Sequence, residues 1–280
     1  FLAIIQCVNA QVWKQNDLLM APDVSDGDNF GEIRYHGANY MVVAAQGVDT
    51  QKGDNTIASI GAVYVWERDK KGSWSFLQKL TAPTGFIREN SSFGKEVALF
   101  GNHMVISDYT SNFNQTLQGG IVFYYKKGFD GLFHYETRIT SNNSHEYKYF
   151  GSALAIRDDY LAVGAGGDNF DENGENSITQ AGSVEIFRLS DDDDWVFLKK
   201  HVSPLRAIGN QYGREILLSG NQLFISDPKV PFNVEGTTTQ KFGKVHYYKY
   251  SSSDFNMGWN YVFCPKFHRK LFGQLYSDLP

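Results

Sequence analysis

The residues of this sequence best suited to chemistry form an acidic stretch around a glycine. Asp168, Asp171, Asn173 and Glu175 lie on either side of Gly174. Carboxylate and amide oxygens that converge on one loop can bind a cation or hydrogen-bond a ligand. The stretch lacks the full spacing of an EF-hand loop and its closing bidentate glutamate. Two interpretations stay open, a ligand-binding loop with these four residues as its candidate site, and a solvated acidic loop.

Catalytic motifs are missing from the sequence. The seven histidines are scattered, and there is no His-x-His, His-Glu-x-x-His, Gly-x-Ser-x-Gly or phosphate-binding glycine loop. A carboxylate pair for glycoside hydrolysis can be recognised only in space, so the sequence is silent on that chemistry. We therefore predict a non-catalytic protein with no catalytic residue.

Three Asn-x-Ser/Thr sequons, at Asn90, Asn114 and Asn142, are candidate N-glycosylation sites. They fit a secreted protein, as does the apolar start of the sequence. Residues 1–10 resemble the later part of a signal peptide with cleavage after Ala10. The alternative is that these residues form an ordinary first strand. The expected location is extracellular, secreted or at the cell surface.

A recurring aromatic-glycine pair organises the elements that must position these residues. It returns after roughly 60 residues each time, at Phe30-Gly31, Phe93-Gly94, Phe150-Gly151, Tyr212-Gly213 and Phe272-Gly273. Each of the first four pairs opens the same succession of an alternating run, a tight turn, a second apolar run, a long polar loop, a Gly-x-Val strand and a final strand. Short β-branched and aromatic runs between Gly, Asn, Asp and Pro predict four strands per unit.

Repeated four-stranded units predict an all-β fold, a β-propeller of four-stranded antiparallel blades. One such sheet has two apolar faces and is stable only when neighbouring sheets cover both. The glycine of each pair would permit close backbone approach on the inner strand, while the ring wedges between blades. The alternative is a two-sheet sandwich with accidental periodicity.

The unit resembles the FG-GAP repeat of integrin α-chain propellers. Phe150-Gly151 matches the FG pair, Leu161–Ala165 matches the second strand, and Gly182–Phe187 matches the third. The resemblance covers residues 11–280, with repeats starting near 30, 93, 150, 212 and 272. It implies that the FG strand is innermost and the Trp-containing strand outermost.

The resemblance also implies calcium, which this family binds in an Asp-rich hairpin between the first two strands. The corresponding turns here, at 36–39, 100–102, 157–159 and 219–221, carry too few carboxylates for such a site. We therefore predict no cofactor and no metal ligands, with calcium elsewhere as an open alternative.

The two ends of the sequence suggest an incomplete ring. Residues 12–22 resemble the outermost strand at 74–83, whereas Phe272-Gly273 resembles an innermost strand without its middle partners. We expect four full blades and a partial one, as in a fragment of a seven-bladed propeller. The alternative is a small ring that closes differently. Cys264 is either a buried small hydrophobe or half of a bridge to sequence not present here.

The composition limits the class of partner. The formal net charge is −5 and no basic patch is evident, which argues against nucleic acid. Membrane anchorage would require sequence not present here. We predict a recognition or adhesion module that binds a protein or a glycan through rim loops. The alternative is an accessory propeller of a larger extracellular enzyme, and a purely structural spacer is a third interpretation.

Overall fold

The computed structural model describes residues 18–23, 25–112, 116–229, 231–232, 240–241, 243–249 and 261–263. The predicted signal segment, Asn114, Cys264 and the Phe272-Gly273 pair lie outside these residues. Within the described ranges, no helix is long and apolar enough to cross a membrane. The described helical structure is a single 3-10 turn, Thr84–Phe86.

Twenty strands are described, and they repeat the predicted succession. The first unit holds β1 (Phe30–His36), β2 (Tyr40–Ala45), β3 (Thr50–Lys52), β4 (Asn55–Ile57), β5 (Ala62–Arg68) and β6 (Trp74–Leu80). The second holds β7 (Val97–Phe100), β8 (His103–Asp108), β9 (Ile121–Lys127) and β10 (Phe133–Ile139). The third holds β11 (Phe150–Arg157), β12 (Tyr160–Ala165), β13 (Ser183–Leu189) and β14 (Trp195–Val202). The fourth holds β15 (Ile216–Ser219), β16 (Gln222–Asp227), β17 (Pro231–Phe232), β18 (Gln240–Lys241), β19 (Lys244–Lys249) and β20 (Tyr261–Phe263).

These strands form four antiparallel four-stranded sheets, which we call blades 1 to 4. Their strand orders are β1-β2-β5-β6, β7-β8-β9-β10, β11-β12-β13-β14 and β15-β16-β19-β20. The pairs β3-β4 and β17-β18 are small hairpins within loops. The inner strands β1, β7, β11 and β15 contact one another in that order. The predicted all-β fold of four-stranded blades with the FG strand innermost is confirmed, and the sandwich alternative does not fit four separate sheets.

Three of the aromatic-glycine pairs have a ring that is buried between two blades. Phe93 belongs to the core shared by blades 1 and 2, and Phe150 to the core shared by blades 2 and 3. Tyr212 packs with Val184 of blade 3, and its hydroxyl lies 2.8 Å from the Tyr248 hydroxyl of blade 4. All three rings have no solvent exposure. Each ring therefore joins two sheets, as the periodicity predicted.

The glycine of the pair is required by close packing. Gly213 has a φ of +81°, and a Cβ atom there would lie 2.5 Å from Val184 Cγ2 and 2.7 Å from the Ser183 carbonyl oxygen. A side chain at this position would be strained by the backbone conformation and would also collide with blade 3. The inner strand of blade 4 can approach blade 3 only because the residue is glycine.

Residues 18–23 pack on the face of blade 1 that is turned away from blade 2. Ala21 is buried in the core on that face, and the Tyr64 hydroxyl donates a hydrogen bond to Asp23 Oδ1 at 2.8 Å. Ala82, which follows the outermost strand of blade 1, is buried in the same way in the core shared with blade 2. The likeness of Leu19–Pro22 to Leu80–Pro83 thus corresponds to equivalent packing.

Candidate functional site

Long loops gather at one edge of the blades, which we call the loop rim. They join the second strand of a blade to its third (46–61, 109–120 and 166–182), or join one blade to the next (81–92, 140–149 and 203–211). Backbone hydrogen bonds link the two kinds of loop in one repeated register, from Ser91 N to Ser59 O, from Tyr149 N to Gln118 O and from Gln211 N to Gln180 O. The loop rim is therefore a continuous hydrogen-bonded surface.

Several loop-rim residues adopt a left-handed backbone conformation at equivalent places. Ser59, Gln118 and Gln180 each have a φ of +51° and lie two residues before the glycine of the Gly-x-Val strand. Tyr149 and Gln211, immediately before the aromatic-glycine pair, have φ values of +56°. Non-glycine residues rarely adopt this conformation, and it is concentrated at functional sites. Here it recurs where the loop rim meets the inner strands.

A cavity of about 360 Å³ opens at this junction between blades 2, 3 and 4. We call it the axial cavity. Its lining combines aromatic, amide and charged side chains, namely Lys95, Glu96, Tyr109, Tyr149, Ser152, Gln180, Gln211, Arg214 and Glu215. The rings of Tyr109 and Tyr149 meet edge to face with centroids 6.0 Å apart. This mixture of apolar ring surface and converging polar groups is typical of a ligand site.

Some polar groups of the axial cavity have no partner within the described residues. The Glu96 carboxylate and the Gln180 side-chain amide make no hydrogen bond there, whereas Gln211 Oε1 accepts bonds from Arg214 and Lys229. Burial raises the pKa of the Glu96 carboxyl, the Arg34 charge opposes this increase, and the Glu215 charge adds to it. The cavity thus offers hydrogen-bonding groups that are free to bind a ligand.

The four candidate ligand residues of the acidic stretch separate into two groups. Asp168 is completely buried, and its oxygens contact only protein groups. Asp171 Oδ1 accepts hydrogen bonds from the backbone N–H groups of Asn173 and Glu175 at 3.0 and 2.9 Å, which makes it the organiser of its own turn. The side chains of Asn173 and Glu175 are exposed. The four residues do not converge, and a ligand role for them stays a prediction.

Asp168 instead lies in a buried ionic cluster beneath the loop rim. Its Oδ2 atom is 3.1 Å from Lys148 Nζ and 2.8 Å from Lys200 Nζ, and its Oδ1 atom is 3.1 Å from His145 Nε2. Lys148 Nζ also lies 2.8 Å from Glu185 Oε1. The sequence pattern gave no sign of this cluster, because Lys148 and Glu185 occupy ordinary loop and strand positions.

Burial and the neighbouring charges in this cluster shift the pKa values of Asp168 and Lys200. Burial opposes ionisation of Asp168, but the hydrogen bond from His145 and the charges of Lys148 and Lys200 hold the pKa of its carboxyl far below the usual range. Burial lowers the pKa of Lys200, the Asp168 carboxylate offsets part of this effect, and the positive charge of Lys148 lowers the pKa further. The cluster joins two loops and blade 3 through charge-assisted hydrogen bonds.

The two described sequon asparagines are exposed on the loop rim. Asn90 lies between blades 1 and 2 with a φ of +50°, and Asn142 lies between blades 2 and 3. The backbone N–H of Asn142 donates to Glu185 Oε2 at 3.0 Å, and the residue itself is exposed. Both residues flank blade 2, as the predicted topology required, and their glycosylation stays a prediction.

The turns between the first two strands of each blade carry few carboxylates, and the absence of calcium from them stays a prediction. They are short hairpin turns, with Gly101-Asn102 in blade 2, Asp158-Asp159 in blade 3 and Gly220-Asn221 in blade 4. Across the described residues, no group of three or more His, Cys, Asp or Glu side chains is arranged to hold a metal ion.

A buried serine, aspartate and histidine lie together in the structure. They are the residue types of a hydrolase triad, but their hydrogen bonds do not follow the order that a triad needs. Ser203 Oγ donates to Asp227 Oδ2 at 2.5 Å, and His246 Nε2 lies 3.1 Å from the same oxygen. The carboxylate therefore stands between serine and histidine, whereas activation of a nucleophile needs a serine–histidine contact. All three residues are buried, which suits a structural role in blade 4.

Comparison with known proteins identifies one repeat. Residues 133–187 match the family model described as FG-GAP repeat. This range runs from the outermost strand of blade 2 through the third strand of blade 3. No match was found among curated proteins. FG-GAP repeats form propellers and are typically extracellular. The chain thus carries an FG-GAP repeat in residues 133–187, within a succession of four-stranded antiparallel blades of the propeller type.

Proposed function

We propose that this protein is an extracellular, non-catalytic recognition module that binds a protein or a glycan at the axial cavity of its loop rim. The observation that carries the proposal is the cavity itself, where Glu96 and Gln180 have free polar groups beside the Tyr109–Tyr149 ring pair. Rings and amides together suit sugar hydroxyls or a peptide segment, because each ligand presents apolar faces between hydrogen-bonding groups.

The hydrogen-bonded loop rim supports the proposal through preorganisation. A binding surface whose backbone is already fixed loses less conformational entropy when a ligand binds. The repeated bonds between neighbouring loops, such as Gln211 N to Gln180 O at 3.1 Å, would hold the cavity lining in place before binding. The extracellular location typical of FG-GAP repeats agrees with a partner outside the cell.

The test is a binding experiment with the secreted chain and a double variant of its cavity. The labelled protein is applied to an immobilised glycan panel and to cells treated with protease or with glycosidases. Arg214 and Glu215 are exposed cavity residues, so Arg214→Ala with Glu215→Ala should weaken binding without unfolding the chain. Phe129→Ala is the matched control, because Phe129 is fully exposed in the turn between β9 and β10 on the opposite edge. Unchanged binding by the double variant, or loss of binding by the folded control, would refute the proposal.

A further inference from the structure

A second cavity lies between blades 3 and 4, at the edge opposite the loop rim. Its volume is about 180 Å³ and its lining is mostly apolar. The residues that shape it include Arg157, Tyr160, Ile186, Leu218, Leu223 and Tyr248. We call it the seam cavity. It shares no residue with the axial cavity and plays no part in the function proposed above.

The seam cavity exists because one aromatic ring of the repeat is missing there. Phe100 ends the inner strand of blade 2 and packs against the core between blades 2 and 3. Arg157 is the equivalent residue of blade 3, since both residues pair across the first hairpin turn of their blade. The guanidinium carbon of Arg157 lies 4.7 Å from the centre of the Phe100 ring. The arginine is thus held against Phe100, and the place in blade 3 that corresponds to Phe100 contributes no ring to the seam between blades 3 and 4.

The size of the cavity indicates the size of its ligand. An engineered cavity of about 150 Å³ lined by aliphatic and aromatic side chains binds benzene. The seam cavity, at about 180 Å³, has room for one six-membered ring with a small substituent. Phe100 occupies the equivalent place between blades 2 and 3, which separately indicates that the space has the size of one ring.

One polar atom of a lining residue indicates which substituent the ligand should carry. The Arg157 side chain is 43% exposed, but its Nε atom is buried and has no hydrogen-bond partner within the described residues; the Asp158 Oδ2 oxygen is 3.8 Å away. A buried donor without an acceptor is unfavourable, and a ligand oxygen would relieve that cost. We propose that the seam cavity binds a small, free monocyclic aromatic molecule that carries an acceptor oxygen, of the phenol class.

The experiment titrates the full chain with phenol and with toluene, followed by two-dimensional amide NMR. Saturable shifts are expected at 157–160 and 218–223 for both probes. Toluene should bind roughly threefold to tenfold more weakly, because it lacks the oxygen that accepts from Arg157. Arg157→Met keeps an unbranched side chain of similar length in the lining and removes the donor, so phenol should fall to the affinity of toluene.

Two variants fill the cavity. Arg157→Phe restores the ring found in blade 2, and Leu218→Phe adds a ring from the opposite wall. Each variant should abolish the shifts caused by both probes. If Arg157→Phe does not fold, the result with Leu218→Phe tests the proposal. Phenol binding unchanged in a folded filled variant, or no saturable shifts in the parent chain, would overturn the proposal. Equal affinities for phenol and toluene would overturn the role of the oxygen.

Discussion

The ammonium group of Lys148 lies 3.1 Å from the carboxylate of Asp168, and both side chains are completely buried. Lys148 belongs to the segment that enters blade 3, whereas Asp168 follows its second strand. The pair thus ties the entry of a blade to one of its own long loops. Removing one member of a buried ion pair leaves the other charge without compensation.

We expect Lys148→Met to lower the free energy of unfolding by about 3–5 kcal/mol, because Asp168 and Glu185 lose a buried counter-charge. Urea unfolding followed by tryptophan fluorescence measures the change. Lys126→Met is the control, since Lys126 forms an exposed pair with Asp193 at 2.6 Å and such pairs contribute at most about 1 kcal/mol. Equal losses in the two variants would contradict the structural role of the cluster.

His201 should make stability depend on pH. Burial, with a smaller contribution from Lys199, lowers the pKa of His201 to about 4. The unfolded chain takes up this proton near pH 6.5, so stability is fully present above that pH and decreases as the pH falls towards 4. The loss attributable to this residue is roughly 3 kcal/mol.

His201→Phe tests this prediction because phenylalanine does not titrate. Its ring can keep the contact that the His201 ring makes with the Tyr248 ring, at 5.1 Å between centroids. Unfolding free energies of parent and variant are measured between pH 4 and pH 7. The variant should show a flatter profile across this window. Parallel profiles would mean that His201 does not carry the dependence.

Gly182→Ala should be strongly destabilising. The φ of Gly182 is +82°, and a Cβ atom there would lie 2.4 Å from the backbone nitrogen and oxygen of Tyr212. Backbone strain alone costs about 1–2 kcal/mol, and Gly53→Ala measures that part because Gly53 has a φ of +62° in open space. Thermal unfolding should show a clearly larger decrease in Tm for Gly182→Ala. A similar decrease in both variants would contradict the close contact between blades.

Phe150→Ala should lower the free energy of unfolding by about 3–5 kcal/mol, because it removes a ring enclosed by two blades. Phe30, the equivalent residue of the first repeat, is only partly buried, so Phe30→Ala should cost less. Chemical denaturation of the two variants gives the comparison. A larger loss at Phe30 would be incompatible with the assignment of Phe150 as an interblade wedge.

Enzymatic removal of any glycans at Asn90 and Asn142 should leave partner binding intact, because the proposed contact is the axial cavity and neither asparagine lines it. Binding of the treated and untreated protein to the same partner panel provides the measurement. Loss of binding by treated protein that is still folded would place the contact on the glycans or beneath them.

The recurrence of Phe93-Gly94, Phe150-Gly151 and Tyr212-Gly213 was sufficient to predict the blades and the interblade rings, and the resemblance to the FG-GAP repeat supplied the order of the strands. This part was predictable because a repeated local pattern requires a repeated local environment. The acidic stretch was less informative. Proximity along the chain suggested that Asp168 and Asp171 act together, whereas burial assigns one to an ionic cluster and the other to its own turn.

By itself, the sequence determined the all-β class, the period and the positions that need glycine or a wedging ring. Only the tertiary structure decided that Glu96, Tyr149 and Gln211 line one cavity, and that Lys148 and Glu185 meet Asp168. These residues come from different blades or loops, so no local spacing relates them. Their meeting depends on how each blade packs on the next, which brings together groups that are distant along the chain.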